Sequence, residues 1–443
     1  MSLPFIHPQV RGDGIGYYAY ARSLLIDHNL QFKDDWKAPN FPPTNRIRDK
    51  AGHIVAYNHY TKTGHIPNLY PIGPAILWAP FLIPVHLSVL GARHIGSMVA
   101  ADGFSRPYLV AMAFATALYG FVGLLLSFRL ARCYFEERWA LWATIGIWFG
   151  TSLPVYMYVD PAWSHADSVF AVALFLWYWN RTREIRTITQ WFTLGLISGL
   201  MLDIYFANAV FLAVLFPEFL FACRSAWLEP GRNHGPQQSV VRSHLLYVAG
   251  TLVSFLPTLI TRTIIFGQPF ALGGYSDEPW RWGSPAFLAV LFSPSHGLLS
   301  TTPILIPAIF GLFLLCRRVP QVGTPLAISA LAFYILIAVY PWWNGVISFG
   351  NRFFISLTPV FILGLSTAFS EFACRWGNPQ EAARRIVTVS MLLIVWNLGL
   401  VFQWAVGMLP SLGPIYWDEV LYNQFRVVPG ELPHALRAHF DFL

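Results

Sequence analysis

Charge is what this chain has least of. Of its 443 residues only 12% are Asp, Glu, Lys or Arg, against 55% that are hydrophobic, and the mean hydropathy is +0.49. A soluble domain carries about 25% charged residues, so a chain this poor in them is excluded from the soluble enzymes. Cysteine is scarce too. Cys133, Cys223, Cys316 and Cys374 each stand near a basic stretch at the end of an apolar run, with no CxxC and no Cys/His grouping. Neither a disulfide-built domain nor a zinc knuckle fits that pattern. There is no Gly-rich nucleotide loop and no internal repeat. The opening MSLPFIHP has neither the basic region nor the apolar core of a signal peptide. The net charge of +7 is scattered over short connections between apolar runs, which membrane topology explains and nucleic-acid binding does not.

What the chain does have is apolar length and aromatic rings, with 18 Trp, 19 Tyr and 36 Phe. Aromatic side chains anchor membrane helices at both water interfaces. Crossing about 30 Å of hydrocarbon takes roughly 20 residues, and runs of that order fall at 107–131, 137–157, 165–180, 187–203, 205–223, 245–266, 302–316, 323–341, 353–370 and 387–408. The expectation is an all-α polytopic membrane protein. Residues 1–106 form an extracytoplasmic first loop with interfacial helices, 107–408 a bundle of about ten spans, and 409–443 an extracytoplasmic tail.

Arginine sets the orientation. Arg129, Arg132 and Arg138, then Arg181, Arg183 and Arg186, then Arg224, Arg232 and Arg242, then Arg317 and Arg318, then Arg375, Arg384 and Arg385 occupy alternate connections. Basic loops stay on the cytoplasmic side. The other connections, holding Asp160, His165, Asp277, Glu278, His296, Asn344 and Arg352, therefore face outward. Residues 1–70 belong with them by continuity, and a transmembrane helix upstream of that stretch is expected. The segment from Tyr70 to Gly91 is apolar but carries Pro71, Pro74, Pro80 and Pro84. Proline removes a backbone donor and disfavours an uninterrupted helix, so this segment is expected at the interface, as is Pro285 to Leu299.

Four outward clusters could carry chemistry. In GDGIGYYAYARSLL, Asp13 stands between glycines that would let a substrate approach the backbone. As the residue before a helix it could equally be a simple cap. Asp34 and Asp35 read as a solvated loop, or as groups that bind a metal or a polar substrate. In YVDPAWSHADS, Asp160 and His165 could share a proton or a metal, or be a turn Asp and an interfacial His. LFSPSHGLLSTTP contributes His296, a weaker signal. YPWWNGVISFGNRFF combines paired tryptophans with Asn351 and Arg352. The guanidinium suits bidentate phosphate recognition and the rings suit sugars or headgroups, while an aromatic belt with a snorkelling arginine is the structural alternative. Asp203 reads as the mark of a turn.

Together these clusters, with YPIGPAILWAPF, resemble the bacterial GT-C-fold glycosyltransferases, the polytopic enzymes that use polyprenyl-phosphate-linked sugars, of the protein mannosyltransferase and aminoarabinose transferase superfamily. The resemblance implies a GT-C-like helical bundle with outward-facing loops, integral to the cytoplasmic (inner) membrane. It makes Asp13 the base that activates the acceptor hydroxyl, and implies substrate-binding roles for Tyr17, Asp160, His165, His296, Asn351 and Arg352, with Arg352 neutralising the departing lipid phosphate. It leaves room for a divalent metal ion, with Asp160, His165 and His296 as candidate ligands, and calls for no nucleotide cofactor. The implied partners are a polyprenyl-phosphate-sugar donor, a glycan, lipid or protein acceptor, and membrane lipids, with no nucleic acid. A transporter or flippase of lipid-linked glycans is the alternative. It predicts polar residues along a path at mid-membrane rather than gathered in outer loops.

Overall fold

The computed structural model describes residues 6–37, 60–220, 237–271, 279–410 and 415–441. Asp277 and Glu278 lie outside them. The described residues form helices and no strands, as expected where lipid offers the backbone no hydrogen-bond partners. The helices that matter for the site are α1 (Gly14–Arg22), α2 (Lys33–Lys37), α3 (Gly73–His94), α4 (Arg106–Arg132), α5 (Glu137–Phe149), α6 (His165–Thr182), α7 (Ile188–Ile204), α8 (Gln237–Phe266), α9 (Leu305–Arg318), α10 (Pro320–Val339), α11 (Thr358–Trp376), α12 (Pro379–Ala405) and α13 (Trp417–Tyr422).

Six stretches are long and apolar enough to cross a membrane: Gly73–His94, Arg106–Arg132, Val241–Phe266, Pro320–Val339, Arg352–Trp376 and Pro379–Ala405. The chain is an integral membrane protein. Five of the six coincide with expected spans. Other expected spans are shorter or irregular, because hydropathy registers apolar content and not what the backbone bonds to. The run at 137–157 holds the 13-residue α5, a break after Gly150 and one π-helical turn, Val155–Val159. The run from 205 opens as a 3-10 helix, Phe206–Leu215. There the Asn208 amide donates to the Met201 carbonyl at 3.2 Å and to Ser168 at 2.9 Å, the side-chain competition that disfavours regular α-helix.

The proline-rich segment is a correction to the sequence reading. It forms one continuous helix of 22 residues, α3. Pro74 lies in the first turn, where no intrahelical donor is lost. Pro80 and Pro84 are four residues apart on the exposed face, so the cost falls where nothing packs, while Trp78, Leu82 and Val89 are buried on the other side. Tertiary burial outweighs local propensity. Helix α3 runs antiparallel to α4, with the Trp78 indole donating to Thr116 at 2.9 Å and His86 against the Tyr108 hydroxyl at 2.7 Å. Helices α4 and α6 run parallel, since Tyr119 packs on Phe170 at 4.9 Å and Tyr134 bonds Asn180. The start of α4, with α3 beside it, therefore projects past the start of α6.

Close helix contacts rest on small residues, as in membrane bundles generally. A Cβ on Gly311 of α9 would stand 1.8 Å from the Gly364 carbonyl oxygen of α11. Asp203 does more than mark a turn: it is buried, and its carboxylate accepts from Thr258, tying α7 to α8. Arg224 and Arg232 lie outside the described residues, and the basic clusters at 129–138, 181–186, 317–318 and 375–385 share one end of the bundle, where Tyr134 bonds Asn180. Arg318 bonds Ser370 at 3.2 Å and Glu371 at 3.1 Å and lies over Phe135 at 5.8 Å. The glycine-flanked Asp13, the 160–165 segment and the 342–352 loop collect at the other end.

Candidate active site

Asp13 occupies the N-cap position of α1, yet its side chain makes no cap bond. One carboxylate oxygen accepts from the Tyr70 hydroxyl at 2.9 Å, and the other pairs with Arg352 Nη2 at 2.7 Å. Its side chain is 32% exposed while that of Arg352 is 8% exposed, so the carboxylate forms the open side of a pair whose cation is sunk in the protein. That arrangement separates the cap reading from the chemical one. The helix N-terminus still favours the negative charge.

The glycines around Asp13 have a different purpose from the one expected. Gly12 has φ +57°, a conformation that suits glycine, and a Cβ there would lie 2.5 Å from the Trp163 ring. A Cβ on Gly14 would lie 2.7 Å from that of Ala162, and one on Gly16 1.9 Å from the Tyr70 ring. The space is taken by the protein's own side chains, not left for a substrate. GDGIG is the sequence that lets α1 lie against DPAW and Tyr70.

Arg352 begins a 3-10 turn, Arg352–Leu357, after a loop folded tightly around its side chain. A Cβ on Gly345, at φ +70°, would stand 2.7 Å from the Ser348 hydroxyl and 3.3 Å from Arg352 Nε. Val346 has φ 54°, an outlier for a β-branched residue, of the strained kind that collects at functional sites. The guanidinium lies 4.1 Å above the Trp163 ring and pairs with Asp13 through Nη2. Its Nε and Nη1 are buried and have no hydrogen-bond partner among the described residues. Leaving charged donors buried and unfilled is costly, and a planar guanidinium with free N–H groups suits a phosphate or carboxylate.

The remaining expected residues are placed as follows. Asp160 is buried and is held by Arg11 Nη2 at 3.1 Å and by Arg11 Nε. Burial pushes its carboxyl above the ordinary range although Arg11 pulls the other way. His165 is the first residue of α6, not a loop residue. It is buried edge-on between Tyr156 at 4.9 Å and Tyr205 at 5.8 Å. Asn351 is buried beside Arg352 and donates to the Trp343 carbonyl at 3.3 Å. His296 is buried on the far side of the 345–350 loop. Desolvation, with the nearby Arg352, holds its imidazole below the usual range. Tyr17 is 4% exposed and packs on Tyr70 at 4.8 Å, so it supports that ring.

Asp160, His165 and His296 do not fit a metal. Arg11 occupies the carboxylate of the first and aromatic rings enclose the second. Among the described residues no three His, Cys, Asp or Glu side chains gather. The sequence reading passed over Arg11, Tyr70 and Trp163. Trp163 donates to the Arg11 carbonyl at 2.9 Å and underlies Arg352, so it joins the clusters to one another. The signal for it was present in DPAWSHA, but as a ring among many.

Asp35 is not in a solvated loop. It is buried 3.4 Å from Arg22, whose guanidinium also pairs with Asp27 at 2.6 Å. Burial outweighs the shared arginine and pushes the Asp35 carboxyl up to about 7. A folded-state value above the unfolded one, about 3.9, means that the native protein holds the extra proton. The associated stability is fully present below about 4 and is lost as pH rises through about 7. Thermal melting of the solubilised protein should therefore fall between about pH 4 and pH 7, and Asp35→Asn should flatten that slope.

With this geometry in view, the fold can be compared with known structures. No protein-family model matches the sequence, and no curated protein matches it. The structure is similar to that of ArnT from Cupriavidus metallidurans in the apo state, with TM-score 0.53, 14% identity, and coverage of 93% of this chain and 70% of that one. It is also similar to the Archaeoglobus fulgidus oligosaccharyltransferase in the apo form, with TM-score 0.53 and 14% identity over 95% of this chain and 55% of that one. A complex of the archaeal oligosaccharyltransferase AglB with an inhibitory peptide and a dolichol-phosphate gives TM-score 0.50 at 14% identity, again covering 95% and 55%. The chain thus spans about half the length of the archaeal proteins. These likenesses establish the fold as GT-C.

Proposed function

We propose that this protein is a membrane glycosyltransferase that moves a sugar from a polyprenyl-phosphate carrier to an acceptor hydroxyl. The observation that carries the reading is the Asp13–Arg352 pair, an accessible carboxylate against a buried guanidinium with two unfilled donors. The neighbours support it, since one is bound to a dolichol-phosphate.

In this reading Asp13 accepts the proton of the acceptor hydroxyl as its oxygen attacks the anomeric carbon. The bond from that carbon to the carrier phosphate breaks, and the departing charge is met by Arg352 Nε and Nη1. One displacement inverts the anomeric centre. Tyr70 and Trp163 orient the pair: the first through its hydrogen bond to Asp13, the second as the platform under the guanidinium. Arg11 and Asp160 fix the ground on which Trp163 stands. In this reading the site faces the extracytoplasmic side, which the positive-inside rule supports, since described basic clusters lie at the opposite end of the bundle.

The test is covalent chemistry. Membranes holding the protein are given a panel of radiolabelled polyprenyl-phosphate sugars, and free polyprenyl phosphate and labelled acceptor are followed together. One donor is expected to yield both in equal amounts. Movement of intact donor across the bilayer without cleavage would instead favour the flippase.

A further inference from the structure

One side chain that the reaction scheme does not use ties the base to the hydroxyl that holds it. Asn68 is fully buried, in the stretch that leads from residue 60 into α3. Its Nδ2 donates to the Gly16 carbonyl of α1 at 2.8 Å, and its Oδ1 accepts from the Tyr70 backbone N–H at 3.2 Å. Its own carbonyl accepts from the Tyr20 hydroxyl at 3.4 Å. A single carboxamide thus bridges the helix that Asp13 precedes and the residue whose hydroxyl bonds Asp13 at 2.9 Å. Nothing in the sequence singled it out, since it is one polar residue in a polar first loop.

The chemistry of the bridge is specific. One partner is an acceptor and the other a donor, which a carboxamide matches with its two ends and an aliphatic side chain of that size does not. The place where it lands is specific too. Gly16 is the residue whose missing Cβ admits the Tyr70 ring, since a methyl there would stand 1.9 Å from it. Ring and amide therefore meet α1 at the same residue. The glycine sets how closely Tyr70 approaches, and the amide sets its register along the helix. Tyr17, packed on the ring at 4.8 Å, limits its tilt. The same segment is also strapped to α8. Arg262 is buried, with Phe206 at 5.3 Å and Phe266 at 5.2 Å, and donates to the Leu69 carbonyl. The Thr63 hydroxyl donates to the Ile265 carbonyl at 2.5 Å. These straps do not depend on Asn68, so loss of its amide frees Tyr70 to shift while the segment stays on the bundle.

We propose that Asn68 is a positioning residue for the base: it fixes the register of Tyr70 on α1 and with it the place where the Tyr70 hydroxyl meets the Asp13 carboxylate. Asn68 acts on the reaction through Tyr70. This role rests on the transferase reading for the reaction it serves, while the contact that Asn68 fixes exists without catalysis.

The experiment follows both the contact and the rate in the full-length protein. With 3-fluorotyrosine in place of Tyr70, the fluorine resonance is recorded with and without Asp13→Asn. It is expected to move on Asp13→Asn while Asn68 is present and to stay unmoved by that change in Asn68→Leu, or in Asn68→Ser should the leucine variant melt too low to assay. A response that persists in the Asn68 variant overturns the proposal, whether or not any donor supports transfer. In the transfer assay, Asn68→Leu is expected to lower kcat about tenfold to a hundredfold with donor KM within about twofold. Once Tyr70→Phe has removed the hydroxyl, the same change should lower kcat by less than about threefold. Equal loss in both backgrounds, as a purely structural amide would give, overturns the proposal as well. A resonance that depends on Asn68, with no transfer from any donor, leaves Asn68 holding Tyr70 on Asp13 and removes the transferase reading.

Discussion

Replacing Arg352 by alanine is expected to lower sugar transfer by about a thousandfold, the scale on which one preorganised donor to a developing negative charge acts. Arg352 touches the base through Nη2, and its Nε and Nη1 are buried donors with no partner among the described residues. Its loss would remove the group that meets the departing phosphate and leave Asp13 held by Tyr70 alone. Arg352→Lys keeps the charge but loses the planar fork and the stack on Trp163, and should recover only a small part of the rate. Asp13 is partly exposed, so water relieves it when its partner is removed, but the buried Arg352 side chain is also the centre of the 345–350 loop, so Arg352→Ala is expected to melt at a lower temperature than Arg352→Lys. Rates in membranes, normalised to folded protein, check this.

Gly16→Ala is expected to be nearly as damaging, by a different route. The new methyl would sit 1.9 Å from the Tyr70 ring, which is itself braced by Tyr17. A rigid ring cannot yield as a flexible side chain would, so α1 and Tyr70 must part. Overpacking of this kind costs about 1–3 kcal/mol. The larger effect is on the reaction, because Tyr70 holds Asp13, and a displacement of about 1 Å is worth roughly a hundredfold in rate. Gly91, in α3, has nothing within 4 Å of its Cβ position. Gly91→Ala should therefore be harmless or stabilising by about 0.5–1 kcal/mol. A melting curve and a transfer rate for the two variants side by side separate packing from composition.

The contrast between those glycines shows how far the sequence could be read. That the chain is helical and lies in the membrane follows from its lack of charge, and Asp13 and Arg352 were legible because each stands in a short polar motif between apolar runs. Their pairing was not. They are separated by most of the chain, and only the packing of α1 against DPAW and of the 342–350 loop around the guanidinium brings them together. Tyr70 was invisible as a site residue because its role depends on a contact across 57 positions. The prolines misled about α3, since their local cost is real but falls on an exposed face. Asp160 and His165 looked like ligands by residue type, and the structure gives the first to Arg11 and the second to aromatic rings. Asp35 looked solvated because burial of an acid is decided by tertiary packing, here with Arg22.

The reaction-centre assignment is tested most directly by a single-turnover measurement in which protein preloaded with the best polyprenyl-phosphate sugar is mixed with acceptor, for wild type and for Asp13→Asn. The near-isosteric amide keeps the shape of the site but cannot take the proton. Rapid product is expected from wild type, with a loss of about a hundredfold or more in the mutant and donor binding that survives the change. Product formed at the wild-type rate by Asp13→Asn, with the protein folded and donor bound, would contradict that assignment.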